Sequence, residues 1–326
     1  MNTASSANRR FQPRFGAALL FIVGLSGLAA CGGSGGEIAR PALVVNSLLD
    51  DASPPAGTVT LRSALETAAS GQRITFDPSL NGGTINLIYV GEEHTVMTGE
   101  VMGFDEANNI SYLVGYHDRD YGKSALYAAK NVVLDASGLG DGVTLNWDGP
   151  DSARVLAVAG NLTMTNVAIT GGNSVFDVAA DVGQHPDDNQ ESTLARGAGV
   201  AVWGVATLTD CRIYDNHAAG DDADQSRDGG AYGGGVYADT VVMTNCIVSG
   251  NTVIGAGAAG GGVFSVGGRD TGRNVSSISK STISENRIAG LFAYGAGVYS
   301  DCLLYTSDAA DESSRVCGEG GGGALR

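Results

Sequence analysis

Basic residues are scarce in this chain. Lys and Arg together number 19 against 35 Asp and Glu, for a net charge of −16. A surface this acidic has no electrostatic footprint for nucleic acid, so no nucleic-acid partner is expected. Histidine is sparser still: His94, His117, His185 and His217 lie far apart along the sequence. The five cysteines have no metal-site spacing. No repeat contains a long 3.6-residue apolar stripe, which excludes a helical framework. The apolar run from Gly16 to Ala30 is too short to span a bilayer comfortably. Disorder is excluded as well, because 43% of the residues are hydrophobic and only 17% charged.

Glycine, by contrast, is abundant, with 50 residues in 326, about twice the ordinary usage of roughly 7%. Many of them recur in one phrase: Gly197-Ala198-Gly199-Val200, Gly233-Gly234-Gly235-Val236, Gly260-Gly261-Gly262-Val263 and Gly295-Ala296-Gly297-Val298. A second phrase follows: Leu208…Cys211-Arg212-Ile213…Asn216, Met243…Cys246-Ile247-Val248…Asn251 and Ile278…Ser281-Thr282-Ile283…Asn286. Its copies stand 35 residues apart (251−216 and 286−251). A fixed period of this size marks a stack of repeats. Alternation in Ala206-Thr207-Leu208-Thr209 and Val241-Val242-Met243-Thr244 reads as strand. An earlier, weaker copy runs from Asn161 to Asn173, with one extra residue before its Asn. Its Met164 aligns with Leu208, and a long outward loop within 177–190 accounts for the longer step.

The expected fold class is all-β, a right-handed parallel β-helix (solenoid) with a short N-terminal capping helix. Leu208, Met243 and Ile278, then Cys211, Cys246 and Ser281, then Ile213, Val248 and Ile283 form the expected inward set. The closing residues Asn173, Asn216, Asn251 and Asn286 are expected to turn the chain in the left-handed conformation and to hydrogen-bond in a ladder. Cys211 and Cys246 occupy equivalent positions in adjacent repeats. Parallel side chains suit a disulfide dihedral poorly, so they are read as a buried free pair.

The N-terminus reads as a targeting segment. Arg9, Arg10 and Arg14 precede the apolar run, which ends in Leu28-Ala29-Ala30-Cys31. This ending resembles the lipobox of bacterial lipoproteins, which implies a signal peptide over 1–30 and lipidation of Cys31. A Gly/Ser tether extends to residue 40. Gly32 directly after Cys31 resembles lipoproteins sorted to the outer membrane. The expected location is the bacterial outer membrane or cell surface, with the periplasm or the medium as the alternative.

Two further stretches carry resemblances. Val44-Val45-Asn46-Ser47, Thr60-Leu61-Arg62-Ser63-Ala64-Leu65, Ile74-Thr75-Phe76-Asp77-Pro78 and Gly82-Gly83-Thr84-Ile85 resemble the N-terminal CSLREA-type segment of secreted β-helix proteins, without that segment's Cys. Leu61 to Ala69 then reads as an amphipathic helix with Leu61, Leu65 and Ala68 on one side, placed to cap the stack. The chain from Leu43 to Asp301 resembles right-handed parallel β-helix repeat proteins. Its Gly-Gly-x-Val and Ile-x-x-Asn phrases are similar to those of polymorphic outer-membrane proteins. Cys302 to Glu312, in contrast, resembles the translation of a transposase-end sequencing adapter. Residues 302–326 are therefore expected to be foreign to a natural chain that is longer. The organisation so far is 41–90 cap and first strands, 91–130 insertion, 131–301 repeats and 302–326 tail.

Chemistry is harder to find. Hydrolases related to the β-helix proteins carry Gly-His-Gly and paired Asp residues on neighbouring turns, and no Gly-His-Gly occurs here. Asp187-Asp188 and Asp221-Asp222 sit in acidic loops, and glycoside hydrolysis needs carboxylates at a defined separation in space. Asp222, Asp224 and Asp228, near Gly229, are the candidate ligands for calcium, set against a reading as solvated loop charges. No other cofactor is expected. The insertion holds His117-Asp118-Arg119-Asp120 among Tyr112, Tyr116, Tyr121 and Tyr127, read either as a surface loop or as a base and charge stabiliser. Tyr116, His117, Trp147 and Trp203 are the candidate ligand contacts, and either Trp equally suits a corner of the stack. No catalytic residue is assigned. The expected function is a non-catalytic surface scaffold for adhesion or for binding a glycan or cell-surface partner, as a monomer attached to the membrane by its lipid. The alternative is a polysaccharide lyase or glycoside hydrolase.

Overall fold

The structure is a computed structural model and describes residues 40–91, 95–105, 110–120, 123–175, 195–220, 230–267, 275–300, 302–306, 313–317 and 323–325. Cys31 and the candidate calcium ligands Asp222, Asp224 and Asp228 lie outside these residues. The described chain is built mostly from parallel β-sheets, with one short α-helix and one 3-10 turn.

Each repeat contributes a short strand to each of several sheets, and the next repeat lays its equivalents alongside. In the 14-stranded sheet, Leu162–Thr165 pairs with the second half of Val200–Thr209, which pairs with Val236–Thr244, which pairs with Ser276–Ser279. The register aligns Ile74, Leu134, Met164, Leu208, Met243 and Ile278 in one column. All six are at most 1% exposed. A second, six-stranded sheet runs from Thr84–Leu87 through Val143–Trp147, Val167–Thr170, Arg212–Tyr214 and Ile247–Ser249 to Thr282–Ser284. Its inward column is Ile85, Leu145, Ile169, Ile213, Val248 and Ile283. A third sheet stacks Asn173–Val175, His217–Ala219, Thr252–Ile254 and Arg287–Ala289. Each buried aliphatic contributes roughly 1.5–3 kcal/mol. No repeat encloses these residues alone, so the stack folds as a unit.

Sharp bends join the sheets, and these too are stacked. The first bend is made at Gly82, Gly142, Asn166, Asp210, Asn245 and Lys280, all with positive φ. The second is made at Gly171, Asp215, Gly250 and Glu285. The closing Asn residues do not make this bend, contrary to expectation. The residue before Asn216, Asn251 and Asn286 does, which frees these Asn side chains to point into the stack. A third bend, at Gly197, Gly233, Gly260 and Gly295, opens the Gly-rich phrases. The glycines after this bend are needed for space. A Cβ on Gly235 would lie 2.8 Å from the Gly262 carbonyl oxygen and 3.0 Å from the Asn251 amide nitrogen.

The Asn ladder exists over three repeats. The Asn216 side chain donates to Asn251 Oδ1 at 2.9 Å, and the Asn251 side chain donates to Asn286 Oδ1 at 2.9 Å. The same two oxygens accept the backbone N–H of Asn216 and Asn251 at 3.1 and 3.0 Å. The remaining amide hydrogens go to carbonyls such as Ile213 and Val248. Buried amides satisfied in this way stiffen the stack. Asn173 is not a member. It pairs in register with His217, and Gly172 stands at the ladder position, giving its N–H to Asn216 Oδ1. A Cβ there would meet the Ala198 carbonyl at 2.0 Å.

The helix at the N-terminal end spans Leu61–Thr67, two residues shorter than expected. Thr60 and Ser63 form a reciprocal capping box, and extended backbone at Ala68 ends the helix. Leu61, Ala64, Leu65 and Ala68 are buried against the interior. Arg62 makes a bidentate pair with Asp50 at 2.7 and 2.9 Å and donates to the carbonyls of Ala125 and Tyr89. Asp50 in turn accepts the N–H groups of Ile88 and Tyr89.

The insertion differs from the expected loop. Thr95–Asp105 and Ile110–Asp120 pair antiparallel as a separate two-stranded sheet. The insertion also ends earlier than residue 130, because Ser124–Ala128 pairs with Arg154–Val158 in the largest sheet. At the other end, Cys302–Thr306 pairs parallel with Ser276–Ser279, and Ser313–Cys317 then returns antiparallel.

Candidate functional site

The Gly-rich phrase places two kinds of side chain on one outer face. The Val that follows each phrase, Val200, Val236, Val263 and Val298, is at most 4% exposed and faces inward. Alternation sends the next residue outward. Those residues are Ala201, Tyr237, Phe264 and Tyr299, paired in register. Residues just before the bend Gly form a second column of Arg196, Tyr232, Ala259 and Tyr294. Two short columns therefore run side by side across successive repeats, both outside the aliphatic interior.

The rings pack closely. Tyr237 and Phe264 stack at 5.4 Å with planes 2° apart, and Phe264 and Tyr299 at 5.1 Å and 6°. Tyr232 leans on Phe264 at 4.9 Å, Tyr294 on Tyr299 at 6.4 Å, and Trp203 on Tyr237 at 6.5 Å. Two guanidinium groups complete the face: Arg196 lies over Tyr237 at 5.6 Å and Arg154 over Trp203 at 5.8 Å. Stacked rings cover one another: Tyr237 is 7% and Arg154 1% exposed, and the face offers parts of the half-buried Tyr232, Phe264, Tyr299 and Arg196 rather than a row of open ring faces. Tyr294 is the exception, being 50% exposed. Such a surface suits hydrogen bonding and CH–π contact with a polar ligand.

Of the sequence candidates, only Trp203 belongs to this face, and the Arg154 guanidinium lies over its ring. Trp147 belongs to the interior: it is 6% exposed and gives its indole N–H to the Asp151 carbonyl at 3.0 Å. It fills a corner of the stack, one of the two readings its type allowed. Tyr116 and His117 lie on the separate antiparallel pair, opposite Glu100 and Gly99. Tyr237, Phe264, Tyr299, Tyr232 and Tyr294 were not singled out beforehand. Their signal was present: an aromatic directly after the phrase Val or directly before the phrase Gly.

Other reactive groups serve the stack. Cys211 and Cys246 are free and buried, and the Cys211 N–H points at the Cys246 sulfur at 3.4 Å. The neighbouring Cys246 sulfur, with burial, pushes the Cys211 thiol far above its ordinary range, so it stays protonated and inert. Burial holds His217 below the usual imidazole value, in the third sheet rather than in the aromatic face. Among the described residues, no group of three or more His, Cys, Asp or Glu is placed to hold a metal. No helix among them is long and apolar enough to cross a membrane. No protein-family model, curated protein or solved structure matches the chain.

Proposed function

We propose that the chain is a right-handed parallel β-helix acting as a non-catalytic scaffold at the bacterial surface. In this reading it is attached through a lipidated Cys31 and binds a glycan or other cell-surface partner on the aromatic–arginine face. The handedness follows from the general rule for parallel crossovers, about 98% of which are right-handed. The scaffold reading rests on columns that rigidify the stack, the Asn ladder and the ring stack. The binding reading rests on one observation: Arg196, Tyr294 and Tyr299 lie in neighbouring columns formed by successive repeats, and none of the three is buried. Contacts of this kind are shallow and add up along the face, which suits a repetitive ligand.

A glycan array probed with the full chain tests this reading, with reducing-end detection on every positive. Retained glycan without new reducing ends is expected. Tyr294→Ala and Arg196→Ala should each weaken retention by about tenfold, equivalent to roughly 1.4 kcal/mol. New reducing ends or unsaturated products would replace this reading with a lyase or glycosidase.

A further inference from the structure

Charge is spread unevenly over the molecule. Acids outnumber bases 35 to 19 along the chain, yet two guanidinium groups meet on the aromatic face, Arg154 over Trp203 and Arg196 over Tyr237. Elsewhere an arginine holds a carboxylate: Arg62 pairs with Asp50, and Arg73 with Asp135. Arg196 does not. Its Nε is buried without a hydrogen-bond partner, and no carboxylate among the described residues pairs with it. The two terminal nitrogens of this half-buried side chain stay accessible. Asp239, two residues beyond Tyr237 on the same strand, has an interaction of its own.

We infer that Arg196 sets the ligand class of the aromatic face: a glycan carrying an anionic substituent (carboxylate, sulfate or phosphate) on the sugar that reaches it. The inference rests on the glycan-binding reading above and narrows it. A guanidinium lying over a ring keeps its in-plane donors for an anion. Tyr237 itself stacks on Phe264 at 5.4 Å, so the cation is held in place without being neutralised. A partly buried cation with an unmet donor carries a cost that an arriving anion removes. Charge-assisted hydrogen bonds to such an anion are stronger than those a neutral sugar offers. Arg196 and Tyr294 stand three repeats apart in one column, roughly 14 Å at the usual strand spacing. One sugar does not cover that distance, so the ligand is an oligosaccharide. The net charge of −16 acts in the opposite sense and repels anions from afar. At physiological salt that repulsion is screened beyond about 8 Å, which leaves the choice to the local cation.

Oligosaccharides matched except for charge test this on the full chain. The pairs are an oligoglucuronate and its carboxyl-reduced form, a sulfated oligosaccharide and its desulfated form, and a phosphorylated one and its dephosphorylated form. In at least one pair the charged member should be retained about tenfold more tightly at low salt, with the advantage shrinking as salt rises. Arg196→Met and Arg196→Gln should both lose that preference, and Arg196→Lys should keep part of it, with thermal melts of all three showing an intact stack. Equal retention within every pair would overturn the inference while leaving glycan binding in place. A preference that survives both neutral variants would overturn it as well, because the charge would then be read elsewhere. Retention of no glycan, charged or neutral, would remove the underlying reading and this one with it.

Discussion

The first and the last described repeats of the stack are built differently. At the N-terminal end, the Leu61–Thr67 helix covers the interior and the Asp50–Arg62 pair ties it to Tyr89 and Ala125. Every polar group named there has its partner. Among the described residues, the second and third sheets run as far as Thr282–Ser284 and Arg287–Ala289, where Ile283 and Ile288 are half-buried. A buried charge pair fixes one geometry in the first repeat, whereas the last described strands of these two sheets keep the geometry of an ordinary repeat. The bends show the same contrast. Lys280 and Glu285 hold left-handed conformations that Gly, Asn or Asp hold in the lower repeats.

The largest effect should come from breaking the closed end. Arg62→Met leaves Asp50, 1% exposed at its side chain, without its cation. Removing one partner of a buried pair costs about 3–5 kcal/mol. Denaturant unfolding should register this as a large fall in midpoint, with amide exchange accelerated first around Leu43–Val45 and Tyr89. A loss below about 1 kcal/mol would mean the helix is a passive lid.

A middle-sized effect should separate the two ends along one ladder. Asn251 is fully buried and serves both neighbours, while Asn286 is half-buried and serves one. Asn251→Ala orphans buried donors and acceptors at about 1–3 kcal/mol. Asn286→Ala should cost clearly less in the same unfolding measurement. Equal losses would remove the distinction between an interior and an end repeat. The smallest effect should be a gain: Glu285→Gly relieves left-handed strain of about 1 kcal/mol. Asp215→Gly, at the equivalent bend lower down, should gain less, because Asp tolerates that conformation better. Paired thermal melts of the two variants check the difference.

Much of this was legible in the sequence because repetition constrains each position several times over. The 35-residue step, the inward columns through Met243 and Val248, and the ladder over Asn216, Asn251 and Asn286 all follow from residues recurring at fixed spacing. Asn173 misled because a single extra residue moves it one place along the register, and that shift shows only once strands are paired. Trp147 kept two readings in the sequence because its type suits a sugar and a core corner equally well. The aromatic face was visible as a pattern but needed the strand alternation after Val236 and Val263 to be recognised as outward.

The sequence by itself determined that equivalent side chains recur at one period, and therefore which residues form the interior and where glycine is required. Only the tertiary structure decided which residue bends the chain, which rings meet and which Asn joins the ladder. Those properties belong to contacts between repeats. Such contacts depend on register and side-chain direction across the stack, and no single stretch of chain specifies them.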